Sequence, residues 1–184
     1  MEITFLTGNK NKLREAKEIL TYHNIQKEEI DLEEIQAVDS RDLIVAKLVL
    51  GYEKVKKPIM VEDTGLHFEC LNGLPGALIK WFIKKIGVEG CWDLVKRYDN
   101  HNAEVRCVVG YTEDGKDLKI FEGIVKGKIV EPGKDNGFDF DRIFIQNGYN
   151  KRYSEMTLME KNRISHRRIA MYHLKEYLED KING

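Results

Sequence analysis

The order of apolar segments and turn signals predicts a mixed α/β fold, a central sheet flanked by helices. Three observations carry that prediction. Short apolar strands alternate with helix-period segments through the first half of the chain. An Asp114-Gly115 turn joins two long strand-like stretches. Two further helix-period segments follow toward residue 182.

Each element has its local reason. Residues 2–6 read as a strand, and residues 12–20 as a helix with Leu13, Ala16, Ile19 and Leu20 on one face. Residues 25–35 alternate in part, as an edge strand does. Ser40 stands where an N-cap belongs, opening a helix buried through Leu43, Ala46, Val49 and Leu50. Ile59-Met60-Val61 is a short strand that breaks into Glu62-Asp63-Thr64-Gly65. Residues 77–97 are one helix or two, interrupted near Gly87 and Gly90. Residues 103–112 and 118–130 form the hairpin, 131–142 a loop, 143–145 a strand, and 157–163 and 166–182 helices. Residues 1–184 suit one domain.

Composition narrows the function classes. Lys+Arg is 30 and Asp+Glu 31, a net charge of -1, so no global basic field points to duplex nucleic acid. Any anion site is local. Three widely spaced cysteines without a CxxC argue against a zinc cluster or a disulfide framework. No apolar run reaches the about 18 residues of a membrane span. MEITFLTGNKNK is too short and polar for a signal peptide. The expected location is the cytoplasm.

Four segments carry candidate chemistry. In TGNKNK, a strand, a Gly-containing turn and a helix N-terminus make an anion cradle, with Thr7, Asn9 and Lys12 as donors. A capped helix with solvated lysines accounts for it equally well. The acids Asp31, Glu33, Glu34, Glu62 and Asp63 are ordinary surface charge or, for those past strand ends, ligands for a hard cation. Asp63 follows an apolar strand and precedes Thr-Gly, which places it at a sheet terminus, where ligands bind in such sheets. In GFDFDRIF, Phe138 and Phe140 anchor a loop or stack on a base beside Asp139 and Asp141. In EKNRISHRR, Ser165 caps the last helix, so His166 and Arg167 crowd its positive end unless a partner is present. With Lys161 they form a donor cluster; pairing with carboxylates accounts for it as well.

Taken together, TGNKNKLRE, VEDTG at 61–65, NGLPGALIKWF at 72–82 and YSEMTLMEKNRISHR at 153–167 resemble the inosine triphosphate pyrophosphatase family, close to its eukaryotic branch. The resemblance runs through nearly the whole chain. It implies an elongated mixed sheet with two lobes and a central nucleotide cleft, a homodimer, and Mg²⁺ (or Mn²⁺) as cofactor. It implies hydrolysis of ITP, dITP and XTP to the monophosphate and pyrophosphate, and no nucleic-acid or membrane partner. A related hydrolase of different base preference, or a nucleotide-binding protein without catalysis, is the alternative.

By position, the resemblance assigns Thr7, Gly8, Asn9, Lys10, Asn11 and Lys12 to the phosphate turn. Glu34 and Asp63 fall at the metal, and Asp63, Lys12 and Glu34 carry the catalysis. Thr64 lies beside them, and Lys47 and Lys80 line the cleft. Phe138, Asp139, Phe140 and Asp141 fall in the base loop; Lys161, His166 and Arg167 around the purine. The family loop reads F-G-[WY]-D-P, whereas this chain has Asp139 at the glycine and Arg142 at the proline. Ala37 replaces a common glycine after Gln36.

Overall fold

The structure is a computed structural model and describes residues 1–32, 35–133 and 139–183. It opens with a β-α-β unit: β1 (Glu2–Leu6), α1 (Lys10–Ile19) and β2 (Asn24–Glu28), with Ile3 opposite Ile25 in a parallel pair. α2 (Ser40–Val55) leads into β3 (Ile59–Phe68), whose end is met antiparallel by β4 (Pro75–Gly76). After α3 (Ile79–Val95), β5 (Asn102–Thr112) and β6 (Lys119–Ile129) form the expected hairpin. β7 (Phe144–Gln146), α4 (Leu158–Ile164) and α5 (His166–Asn183) follow. Among the described residues the sheet has seven strands in the order β2-β1-β3-β5-β6-β7, with β4 beside β3.

Three buried clusters hold the layers. On one face, Phe5, Met60 and Val109 pack under Ala16 of α1 and Leu174 of α5. On the other, Ile59, Val61 and Val108 meet Ile44 and Leu48 of α2. Toward the far end of β3, Leu66, Phe68 and Val105 pack with Val88 and Cys91 of α3 and with Phe144. The two ends of the molecule thus share the same long strands.

Four expectations need correction. β3 does not break after Val61. Glu62, Asp63 and Thr64 pair with Val109, Val108 and Cys107 of β5, so the ladder satisfies their backbone. Asp63 is therefore interior to a strand rather than at its terminus. The N-cap of α2 is Asp39, whose Oδ1 accepts from Arg41 N–H at 2.8 Å, and Ser40 is the first helical residue. α2 is apolar almost all round, which hides its phase; its buried residues include Leu43, Ile44, Leu48 and Gly51, while Val49 is exposed. α3 breaks at Gly87, with φ 71°, and stays helical at Gly90.

Two features position the site. β1 pairs with β3 only at Thr4–Ile59 and Phe5–Met60, so β1 turns away where β3 continues to Glu62. The start of α5 rests directly on β6. A Cβ on Gly123 would come within 2.0 Å of the His166 carbonyl oxygen and 2.6 Å of the Ala170 nitrogen, both backbone atoms. Overpacking of this kind costs about 1–3 kcal/mol. We expect Gly123→Ala to lower stability by at least that much in urea unfolding, whereas Gly148→Ala, whose Cβ position is open, tests only the left-handed turn there.

Candidate active site

α1 begins with no acid in its first turn, and two of its first N–H donors are met from within the turn. Asn9 caps it: its Oδ1 accepts from Asn11 N–H at 2.9 Å and Lys12 N–H at 3.3 Å. Thr7 Oγ1 accepts from Asn9 N–H at 3.1 Å. Lys10 and Lys17 are exposed, whereas Lys12 is half-buried and reaches across to β3. Its Nζ lies 3.3 Å from Glu62 Oε1 and donates to the Glu62 carbonyl oxygen at 3.4 Å. The lysine that looks misplaced at a positive helix end is thus answered by a carboxylate from another element.

Glu62 is the hub. Arg167 Nε donates to Glu62 Oε2 at 2.9 Å, and Arg167 Nη1 to Glu15 Oε2 at 2.9 Å. Thr64 Oγ1 donates to Glu62 Oε1 at 3.1 Å. Two cations and two carboxylates thereby link α1, β3 and α5 in a buried site. Burial alone would raise the Glu62 pKa, but Arg167 and Lys12, by charge and by hydrogen bond, outweigh it and hold the group at about 2. Glu15 was not among the residues singled out from sequence. The signal was an acid in line with the buried Ala16 and Ile19, three residues after Lys12.

Asp63 points to the opposite face of β3, as neighbours on a strand must. Ser40 Oγ donates to its Oδ2 at 2.8 Å. Burial raises its pKa above the ordinary range, and Ser40, Lys12 and Lys47 pull back only part of that rise. A carboxylate with a raised pKa is a stronger base than one in water. Lys47 on α2 is thereby electrostatically coupled to Asp63, whereas Lys80 stands over the ring of Trp81 at 5.8 Å.

Farther along, the single turn Asp139–Arg142 brings Phe140 to the start of α5. Phe140 is buried, 6.3 Å from the His166 ring, and Tyr153 stacks on His166 at 6.3 Å. Lys161 pairs with Asp141 and lies over Tyr153 at 5.3 Å. His166 is 2% exposed and its Nδ1 has no hydrogen-bond partner. Burial, then Arg167 and Lys161, push its pKa well down, so the ring is neutral at pH 7. Arg167 is committed to its two carboxylates, the plainer of the two readings its sequence context allowed.

Glu34 and Phe138, read from sequence as metal ligand and base contact, lie outside the described residues. Among the described residues no three His, Cys, Asp or Glu side chains form a metal cage. Asp63 retains acceptor capacity at Oδ1 with Ser40 on Oδ2. That donor set fits a hard cation held by one or two carboxylates together with water and phosphate.

Residues 3–177 match the Ham1 family. The chain belongs to that family. It is 40% identical over 183 residues to a Schizosaccharomyces pombe protein named inosine triphosphate pyrophosphatase, covering 98% of this chain and 97% of that one. It is 39% identical over 191 residues to the Saccharomyces cerevisiae protein of the same name, covering 96% and 95%. Among solved structures, a HAM1 protein from Coxiella burnetii superposes with a TM-score of 0.88 at 25% identity, over 98% and 99% of the two chains. The Staphylococcus aureus Ham1 protein superposes at 0.84 with 24% identity, over 98% of this chain and 100% of that one. The Ham1 fold therefore accounts for the mixed sheet and for the long strands common to both ends.

Two outcomes follow from these charges. Removing one member of a buried ion pair costs about 3–5 kcal/mol, so Glu62→Gln should destabilise the protein by that amount in denaturant unfolding. Because the Glu62 pKa is lowered on folding, its contribution is full above about 4.5 and is lost as pH falls through about 2. The stability gap between wild type and Glu62→Gln should close across that window. Ser40→Ala removes a donor to ionised Asp63 and should raise its pKa further. Carboxyl NMR titration of the metal-free protein reads that shift, and an unchanged Asp63 would refute it.

Proposed function

We propose that the chain is a nucleoside-triphosphate pyrophosphohydrolase that converts ITP, dITP and XTP to the monophosphate and pyrophosphate. One observation carries the reading. Lys12, from the Asn9-capped start of α1, meets Glu62 where β1 turns away and β3 runs on, and its charge also reaches the neighbouring Asp63 on the other face. The names of the relatives support it.

The proposed roles follow from charge. A triphosphate brings about four negative charges, and a helix N-terminus with lysines suits them. Lys12, held on Glu62 by contacts of 3.3 and 3.4 Å, exchanges that partner for a phosphate oxygen. Thr7 and Asn9 orient the turn. Lys47 balances charge beside Asp63. Glu34 and Asp63 would hold Mg²⁺, which when bound would neutralise phosphate charge and acidify water. Asp63 takes a proton from the water that attacks the α-phosphorus; the bond to the bridging oxygen breaks, and pyrophosphate leaves. Neutral His166 and Lys161 donate toward O6 of the purine, which adenine lacks. We read the protein further as a cytosolic homodimer acting on free nucleotides, with neither nucleic acid nor membrane as partner. The near-balanced net charge of -1 supports free nucleotides, and no helix among the described residues is long and apolar enough to cross a membrane.

The test is pyrophosphate release with Mg²⁺ from ITP, dITP, XTP, ATP, CTP and UTP. Turnover of the first three and not of ATP is expected. Loss of a general base costs about 10²–10⁴-fold, so Asp63→Asn should reduce kcat by at least the lower figure, while Lys10→Ala should change it little. Absence of turnover with every nucleotide would overturn the assignment.

A further inference from the structure

The turn Asp139–Arg142 carries an acid where the backbone is left-handed. Asp139 has φ 59°, a conformation that glycine adopts freely and Asp only with strain. The turn is pinned from behind. Arg142 Nη2 donates to Glu89 Oε1 of α3 at 3.0 Å and to the Gly133 carbonyl at 2.8 Å, and Nε to the same carbonyl at 3.2 Å. The Arg142 end of the turn is therefore held to α3 and to Gly133.

The Asp139 carboxyl is half-buried, within the electrostatic reach of Asp141, Lys161 and Lys12. Of these, Lys161 is taken by Asp141 and Lys12 by Glu62. None of the ion pairs among the described residues includes Asp139, whose carboxylate accepts from the Phe140 N–H. Close by, His166 is 2% exposed and its Nδ1 has no partner, with the tilted ring of Phe140 and the stacked ring of Tyr153 each 6.3 Å away. An unmatched carboxylate and an unmatched imidazole nitrogen beside aromatic faces are the two ends of a site for a flat, polar-edged ring. Lys161 stands over Tyr153 at the same place.

Resting on the pyrophosphohydrolase reading above, we propose that Asp139 sets the base specificity of this chain by accepting two hydrogen bonds from a 2-amino-6-oxopurine. A carboxylate has two oxygens side by side and matches a pair of parallel N–H donors. Guanine presents such a pair, N1–H and the 2-amino group. Hypoxanthine presents N1–H alone. Xanthine presents N1–H beside a 2-oxo group, whose lone pairs meet the second carboxylate oxygen. Adenine has a bare N1 and no donor there. Guanine nucleotides are thus substrates of this chain alongside ITP, XTP is the weakest of the 6-oxopurines, and ATP is rejected. A site that hydrogen-bonds a substrate N–H discriminates strongly against analogues that leave its own groups unpaired.

The measurement is kcat/KM for GTP, ITP and XTP in the wild type, Asp139→Gly and Asp139→Asn. Glycine suits φ 59° and keeps the fold. Asparagine keeps the size and tolerates the turn but turns one acceptor into a donor. The expected result is a GTP:XTP ratio that falls at least tenfold in Asp139→Gly and further in Asp139→Asn, with ITP changed least. Ratios equal within twofold in all three proteins, or wild type that hydrolyses ITP but not GTP, would overturn the proposal. If no triphosphate is turned over, the hydrolase reading fails, and binding of GMP, IMP and XMP by calorimetry decides this one. GMP weakened tenfold against XMP by Asp139→Gly upholds it; affinities unmoved by the substitution refute it.

Discussion

The buried carboxylate of Glu62 joins three elements that are far apart in sequence. Lys12 comes from α1, Arg167 from the start of α5, and Glu15 closes the set by holding the other side of Arg167. Separations of 105 and 152 residues are spanned by two hydrogen bonds from one guanidinium. Such a network stabilises little over an apolar core of equal volume, but it is costly to leave incomplete. Its effect is to fix where Lys12 stands and how α5 begins. Both ends of the candidate site take their placement from it.

Glu62 and Asp63 are adjacent in sequence and divided in role by the pleat of β3. One faces α1 and α5, where two cations keep it ionised far into acid. The other faces Ser40 and Lys47, where burial leaves it more basic than an ordinary aspartate. The same two letters thus supply an anchor and a carboxylate of raised basicity, separated by the thickness of a sheet. This also explains how charged residues sit inside a strand. Their backbones are laddered to β5, and their side chains meet partners above and below.

What was legible in the sequence was local. The β1-turn-α1 unit, the Asp114-Gly115 hairpin and the Gly87 break each arise from residues close together, and each lies where its pattern predicts. Ser165 accepts from Arg168 N–H at 3.3 Å, as a cap of α5 should. What was not legible depended on distant partners. Glu-Asp-Thr-Gly looks like a turn because no local window shows Val109, Val108 and Cys107 waiting to pair with it. α2 hid its buried face because its apolar residues wrap the helix. Arg167 looked like a ligand donor until Glu62 and Glu15 were brought beside it. The candidate residues near Thr7 and Lys161 could be named from motifs; the contacts of Ser40 with Asp63 and of Glu15 with Arg167 could not.

β3, β5 and β6 pass from one packed end to the other, with ladders from Ile59–Thr112 to Phe68–Ala103 and from Asn102–Lys128 to Tyr111–Lys119. A molecule joined in this way has no linker about which its halves could swing. Any closing of one end toward the other has to be taken up as a change in sheet twist, spread over many hydrogen bonds. The sheet then behaves as a torsion spring, stiff and self-restoring.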